Sequence, residues 1–368
     1  MSTTWLPCGT YHQSYVKDHG WWQTSFVYGK MTLLVIVLFI IIPVFCGDYL
    51  LSIAYKIGYT ILAALGVQLL IGYCGQITLG HAAFVAVGSY TSAMLILYVP
   101  WPNFLFSAGL VYPISMIAAG FAAGLWSVLF GLPSARVKGF YLIMTTMAAQ
   151  WITVPLVITQ YVSRIGGRGH YFSLPPGTIS IGPWAIDSDR KIYYLMIVLV
   201  CLCLLAMANL LRSRVGRAWI AIRDNDIAAE TLGVNIVWYK LVAFFVAGFI
   251  AGIAGSFWIS ALYFVSPEHF EFFYSLWWVG VILIGGVGSL HGVVFGAMFM
   301  VLVEEILRNG LVAMGGWMPE LMLVGKFDYF RDSAFGLAII LFLIYEPNGI
   351  SYRYWQIKNY FNLWPFSY

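Results

Sequence analysis

Residues 212–240, RSRVGRAWIAIRDNDIAAETLGVNIVWYK, concentrate charge in an otherwise oily chain. Arg212, Arg214, Arg217, Arg223 and Lys240 stand there against Asp224, Asp226 and Glu230. Such groups make charge-assisted hydrogen bonds to another macromolecule. They contain no nucleophile–base set and no metal-ligand spacing. Asp224 or Asp226 lies where a helix dipole favours an anion, Ile227-Ala228-Ala229-Glu230-Thr231-Leu232 follows as a helical stretch, and Gly233 is a natural stop. The expectation is a small, partly apolar docking helix.

The elements that hold this helix are apolar runs at residues 191–211 and 241–261, each long enough to cross a bilayer. A loop this cationic between two spans belongs on the cytoplasmic side. Of 368 residues, 61% are hydrophobic and 9% charged, against about 25% charged in soluble proteins. A soluble core cannot absorb so much apolar surface, so the fold class is an all-α polytopic membrane protein. The net charge of +4 makes no case for nucleic acid. Cys46, Cys74, Cys201 and Cys203 lie in or beside apolar runs, where thiols act as small hydrophobes, and Cys8 stands apart. Neither a metal nor a cofactor is expected.

Further runs at residues 31–46, 50–71, 82–99, 108–132, 139–161, 274–290, 292–307 and 332–345 bring the total to about ten transmembrane or re-entrant helices. Residues 1–30 read as an interfacial segment rich in aromatics, 31–345 as the membrane domain and 346–368 as a polar, aromatic tail. The run 31–46 has no cleavage site after it and is expected to stay as a signal anchor. With the N-terminus inside, the cytoplasmic segments hold eleven of nineteen basic residues, the outer segments seven, and Lys56 lies within a span. The loop 162–190, rich in Gly and Pro, then faces outward.

Gly72-Tyr-Cys-Gly-Gln-Ile-Thr-Leu-Gly80-His81 interrupts the apolar pattern. Non-helical backbone at membrane depth survives only when buried in protein or facing water. Gly286-Val-Gly-Ser-Leu-His291-Gly292 is a similar break, which suggests an internal pseudo-repeat of the kind that builds transport pathways. Gln76, Thr78, His81, Ser89, Thr145, Thr146 and Gln150 are the candidate lining of a path. Each has a plainer alternative: interhelical hydrogen bonding for the Ser, Thr and Gln side chains, and donation to a backbone carbonyl for His81 and His291, the preferred reading of both histidines. Glu304 and Arg308 are four apart and can pair on one helix face. The chain holds no G-x-x-x-x-G-K-[ST], no G-x-S-x-G and no H-E-x-x-H, which leaves no motif for ATP hydrolysis or for membrane-embedded hydrolytic chemistry.

Asp226-Ile-Ala-Ala-Glu-Thr-Leu-Gly233 resembles the EAA-type coupling loop of bacterial ABC importer permeases, with Asp226 where Glu is usual. The block from Gly216 to Gly255, together with GYCGQITLGHAAFVAVGSYTSA, VKGFYLIMTTMAAQ and VSPEHFEFFYSLWWVGVILIGGVGSLHG, resembles the permease of branched-chain amino acid ABC importers. The resemblance implies a non-enzymatic permease of the bacterial cytoplasmic (inner) membrane. It implies two cytoplasmic ABC ATPase subunits, a second related permease as heterodimer partner, an extracytoplasmic solute-binding protein and contact with membrane lipid. Gly216, Arg217, Arg223, Asp224, Asp226, Ala228, Ala229, Glu230 and Gly233 are then the ATPase-coupling residues. Branched-chain amino acids lead as cargo, with urea, amides or other amino acids as alternatives. An ion-coupled secondary carrier stays open as a different class, discriminated by whether the chain alone moves solute.

Overall fold

A computed structural model describes residues 25–134, 139–162, 171–175, 178–182, 184–314 and 326–363. The chain is helical. Among the described residues, eight helices are long and apolar enough to cross a membrane, and a bent pair makes a ninth. The spans are α1 (Tyr28–Phe45), α2 (Asp48–Tyr73), α3 (His81–Tyr98), α4 (Val111–Ser134) and α5 (Phe140–Trp151, continuing as Ile152–Val162). After them come α6 (Asp189–Arg212), two short helices α7 (Arg214–Asp224) and α8 (Asp226–Thr231), and the span α9 (Ile236–Leu262). The chain continues through α10 (Phe272–Gly285), α11 (Leu290–Met314), α12 (Lys326–Tyr345) and α13 (Ile350–Leu363). Most of residues 1–30, the Arg136 and Lys138 turn, and parts of loops 162–190 and 310–331 lie outside the described residues.

Three spans form the core: α3, α4 and α9. Lipid tails are as apolar as leucine, so close backbone approach must supply attraction that water would supply elsewhere. Glycine makes that approach here. A Cβ at Gly88 would lie 2.4 Å from the Gly252 Cα, and one at Gly252 would lie 2.5 Å from the Ala119 carbonyl oxygen. Small hydroxyls lock the same seam. The Ser127 Oγ donates to the Phe244 carbonyl at 2.6 Å, the Ser89 Oγ donates to the Gly255 carbonyl at 2.6 Å, and the Ser92 and Ser256 hydroxyls bond at 2.9 Å.

Two expected segments take a different form. The apolar run 274–290 yields only the 14 residues of α10. Gly286 and Gly288, at φ 118° and 81°, stop the helix without interrupting hydropathy. The tail beyond residue 346 holds a helix, α13, bent 44° from the end of α12. At the end of the bundle that carries α13, the Lys30 Nζ donates to the Tyr354 hydroxyl at 3.1 Å and the Tyr354 ring lies 5.7 Å from that of His291.

At the other end of the bundle, β1 (Phe172–Ser173) pairs antiparallel with β4 (Phe264–Val265), and β2 (Ser180–Ile181) with β3 (Trp184–Ala185). A turn at Pro267–Phe270 closes this cap. Its Ser266 N–H donates to the His269 Nδ1 at 3.4 Å. Burial lowers the His269 pKa, with Glu268 pulling the other way.

Two outcomes follow. Gly88→Val or Gly252→Val should cost about 2 kcal/mol through overpacking and lower the thermal midpoint in detergent, whereas Gly310→Val, with nothing within 4 Å of its Cβ, should not. Because the folded His269 pKa lies below its unfolded value, its contribution is full above the unfolded pKa of about 6.5 and is lost as pH falls through the folded value. A midpoint titration from pH 8 to 5 should show that loss, and His269→Gln should flatten it.

Candidate functional site

The loop between α6 and α9 folds as two short helices, α7 and α8. Gly216 sits where a Cβ would lie 2.3 Å from the Leu211 carbonyl oxygen, so α7 turns tightly back on the end of α6. The Arg217 Nη1 donates to the Arg212 carbonyl at 3.1 Å across that turn. Gly216, Ala218, Trp219 and Ile222 face inward and Arg214, Arg217 and Asp224 outward. The Trp219 ring is fully buried, and its indole N–H donates to the Tyr239 carbonyl at 2.8 Å, anchoring α7 to the start of α9.

Asn225, rather than either neighbouring aspartate, caps α8: its Oδ1 accepts from the Ala228 N–H at 3.1 Å. Asp226 occupies the first turn, where the dipole favours its charge. Ala229 is buried, while Ala228 and Glu230 are exposed. Gly233 ends the helix at φ 85°, and the Gly233 and Val234 N–H groups return to the Glu230 and Ala229 carbonyls at 2.9 and 3.0 Å. Two apolar side chains project from this surface, Ile227 at 67% and Leu232 at 83% exposed.

Arg223 connects this surface to the membrane interior. Its Nη1 donates to the Gly72 carbonyl at 2.7 Å, and its Nε and Nη2 donate to Asp224 Oδ1 at 3.1 and 2.9 Å. The side chain lies between both glycine breaks: a Cβ at Gly75 would meet its Cγ at 3.1 Å, and one at Gly288 would meet its Nη1 at 3.2 Å. The breaks touch each other as well. A Cβ at Gly72 would lie 2.7 Å from the Gly288 nitrogen. The Gln68 Nε2 donates to the Gly286 and Ser289 carbonyls at 3.2 and 3.0 Å. Gln68–Tyr73 is itself a π-helical end to α2, a geometry that recurs at functional sites.

The candidate path residues separate into two groups. Gln76 joins Arg223, Asp224 and Asp226 around an inner cavity of about 350 Å³. The others lie deeper. Thr146 accepts from the Leu79 N–H at 3.2 Å, Thr145 donates to the Leu142 carbonyl at 2.8 Å, and Gln150 donates to the Phe270 carbonyl at 2.6 Å while lining an outer cavity of about 570 Å³. Ser89 serves the glycine seam. The Gln76 Oε1, Thr78 Oγ1 and Gln150 Oε1 atoms have no hydrogen-bond partner among the described residues. His81 begins α3 fully buried, edge-on to Phe84 and Trp278 at 5.9 Å each, in a notch left by Gly66.

Sequence spacing misassigned one charge. Glu304 pairs not with Arg308 but with Lys56 of α2 at 2.9 Å, and Glu305 accepts from the Tyr49 hydroxyl. The capping Asn225, the anchoring Trp219 and the bridging Gln68 went unnoticed in the sequence. Asn225 is flanked by two aspartates that cap equally well, and a glutamine in an apolar run carries no spacing signal.

Residues 49–327 match the family model described as branched-chain amino acid transport system / permease component. The chain is 30% identical over 288 residues to the high-affinity branched-chain amino acid transport system permease protein LivM of Salmonella typhimurium, covering 72% of this chain and 65% of that protein. LivM of Escherichia coli gives the same identity, length and coverage. The autoinducer 2 import system permease protein LsrC of Yersinia pestis is 27% identical over 197 residues, covering 49% of this chain and 54% of LsrC. The match thus spans 65% of the length of either LivM. No solved structure matches the chain. With its eight apolar helices and a family match over most of its length, the chain belongs to the permease components of branched-chain amino acid transport systems.

Proposed function

We propose that the chain is one membrane subunit of an ATP-driven importer of branched-chain amino acids in the cytoplasmic membrane. Residues 212–240 couple it to separate ATPase subunits. The observation that carries this reading is the Arg223–Gly72 hydrogen bond. It joins a solvent-facing helix with two apolar projections to the one place where both broken segments meet. A force applied to α8 reaches the membrane breaks through α7 and a single guanidinium.

The cycle then has defined parts. Closure of the ATPase pair on nucleotide displaces α8. Arg223 carries the displacement to Gly72 and, through Gln68, to Gly286 and Ser289. Interfaces of this kind switch between discrete arrangements rather than deform gradually. The unpartnered Gln76, Thr78 and Gln150 oxygens supply acceptors for a polar solute crossing between them. A second related permease and an extracytoplasmic binding protein complete the assembly. The autoinducer 2 import permease among the relatives supports the view that the architecture serves several cargoes, with selection shared by the binding protein. Urea, amides or other amino acids are the alternative cargoes. An ion-coupled carrier is disfavoured because Glu304 and Glu305 are already engaged by Lys56 and Tyr49.

Two experiments on the assembled complex in proteoliposomes test the reading. Glu230→Lys and Gly233→Trp should leave insertion and basal ATPase activity intact while abolishing stimulation by the binding protein; normal leucine uptake in both would count against the assignment. Arg223→Ala removes a charge-assisted contact of about 1.5–3 kcal/mol. Its stimulated uptake should fall about tenfold or more, with α8 still docked as judged by ATPase co-purification.

A further inference from the structure

The outer half of the bundle holds a second arrangement that the coupling path does not use. Lys56 lies eight residues into α2 from its outer end, about 12 Å down the helix. Glu304 lies fourteen residues from the inner start of α11, about 21 Å up. Their ion pair of 2.9 Å therefore sits within the membrane, with side chains 36% and 15% exposed. Two cavities lie against Lys56. One, of about 120 Å³, is lined by Lys56, Tyr59, Trp258, Trp278, Glu304 and Arg331 among others. The other, of about 270 Å³, shares Lys56, Tyr59 and Trp258 and adds Glu305 and Arg308. Together they have room for a ligand of about ten non-hydrogen atoms.

The walls are aromatic. The Tyr59 and Trp258 rings lie 4.4 Å apart, and the Tyr59 and Trp278 rings 6.2 Å. Below Trp278 the His81 ring, 5.9 Å away and seated against Gly66, closes the inner side. The site is thus a pocket with an aromatic floor rather than an open channel.

We propose that this pocket is a transient binding site for the free zwitterion of an α-amino acid. Its carboxylate replaces Glu304 on the Lys56 ammonium, its ammonium replaces Lys56 on the Glu304 carboxylate, and its apolar side chain lies against Tyr59, Trp258 and Trp278. The inference rests on the importer reading above and narrows the cargo it takes. An ion pair at membrane depth is weak evidence for stability, because breaking it strands a charge while an apolar pair would serve as well. A zwitterion removes that objection. It exchanges like charge for like, so neither Lys56 nor Glu304 is left unpaired at any point. Ring faces favour an ammonium and bury a branched alkyl group. Urea and neutral amides carry neither charge and cannot make the exchange.

The test uses the complete complex, with partner permease and ATPases, in nanodiscs without binding protein. Radiolabelled leucine should bind saturably. Leucinamide, which lacks the carboxylate, and 4-methylpentanoate, which lacks the ammonium, should compete about tenfold or more weakly. Lys56→Met should weaken leucine by a similar factor and leave leucinamide almost unchanged, while Glu304→Gln should weaken leucine likewise and leave 4-methylpentanoate almost unchanged. Equal competition by both analogues overturns the proposal without recourse to any variant. So does an absence of saturable binding in a preparation that imports leucine once binding protein is added, an outcome that leaves the importer reading standing. A preparation that imports no amino acid with binding protein present overturns the importer reading and this inference with it.

Discussion

One hydrogen bond, from the Arg223 guanidinium to the Gly72 carbonyl, joins the polar loop of this chain to its membrane interior. Gly72 lies at the π-helical end of α2, where a carbonyl lacks an ordinary helical partner. In an apolar surrounding such a group must be satisfied from elsewhere, and the donor comes from a surface helix. Asp224 holds the guanidinium from its other side. Local backbone need and long-range linkage are therefore met by the same side chain.

That linkage works only because the rest of the bundle is stiff. The α3–α4–α9 seam brings backbones into contact through Gly88, Gly252, Gly248 and Gly255 and fixes them with serine hydroxyls. Against this block, the segments between α2 and α3 and between α10 and α11 have no regular helix. On the coupling proposed for Arg223, motion delivered there would be taken up at the breaks instead of being spread through the packing. The outer cap of paired strands, with Ile186 bonded to Tyr263, ties the opposite end.

Much of this was legible in the sequence, for identifiable reasons. Spans reveal themselves by length and apolarity. Gly233 marks a helix end because it takes φ 85°, where a side chain would be strained. The break at residues 72–80 shows because three glycines cluster there. Other boundaries and contacts were harder to see. Residues 274–290 stay apolar through the visible glycine break at Gly286 and Gly288, so hydropathy overran the end of α10. Lys56 and Glu304 lie far apart along the chain, and Arg308, a spacing-matched neighbour, offered a nearer partner for Glu304. The tail reads as polar and aromatic because the helical face of α13 has weak periodicity. In each case the missing information was tertiary contact or dihedral angle rather than residue type.

The meeting of the two breaks also bears on how such a chain can change over generations. With the Gly288 nitrogen 2.7 Å from where a Gly72 side chain would begin, neither position can accept bulk independently. Drift at one site is contingent on the backbone of the other, although the two lie in opposite halves of the polypeptide. A side chain added at residue 72 would have to displace the α10–α11 turn, and one added at residue 288 would crowd the Arg223 guanidinium and the Gly72 carbonyl.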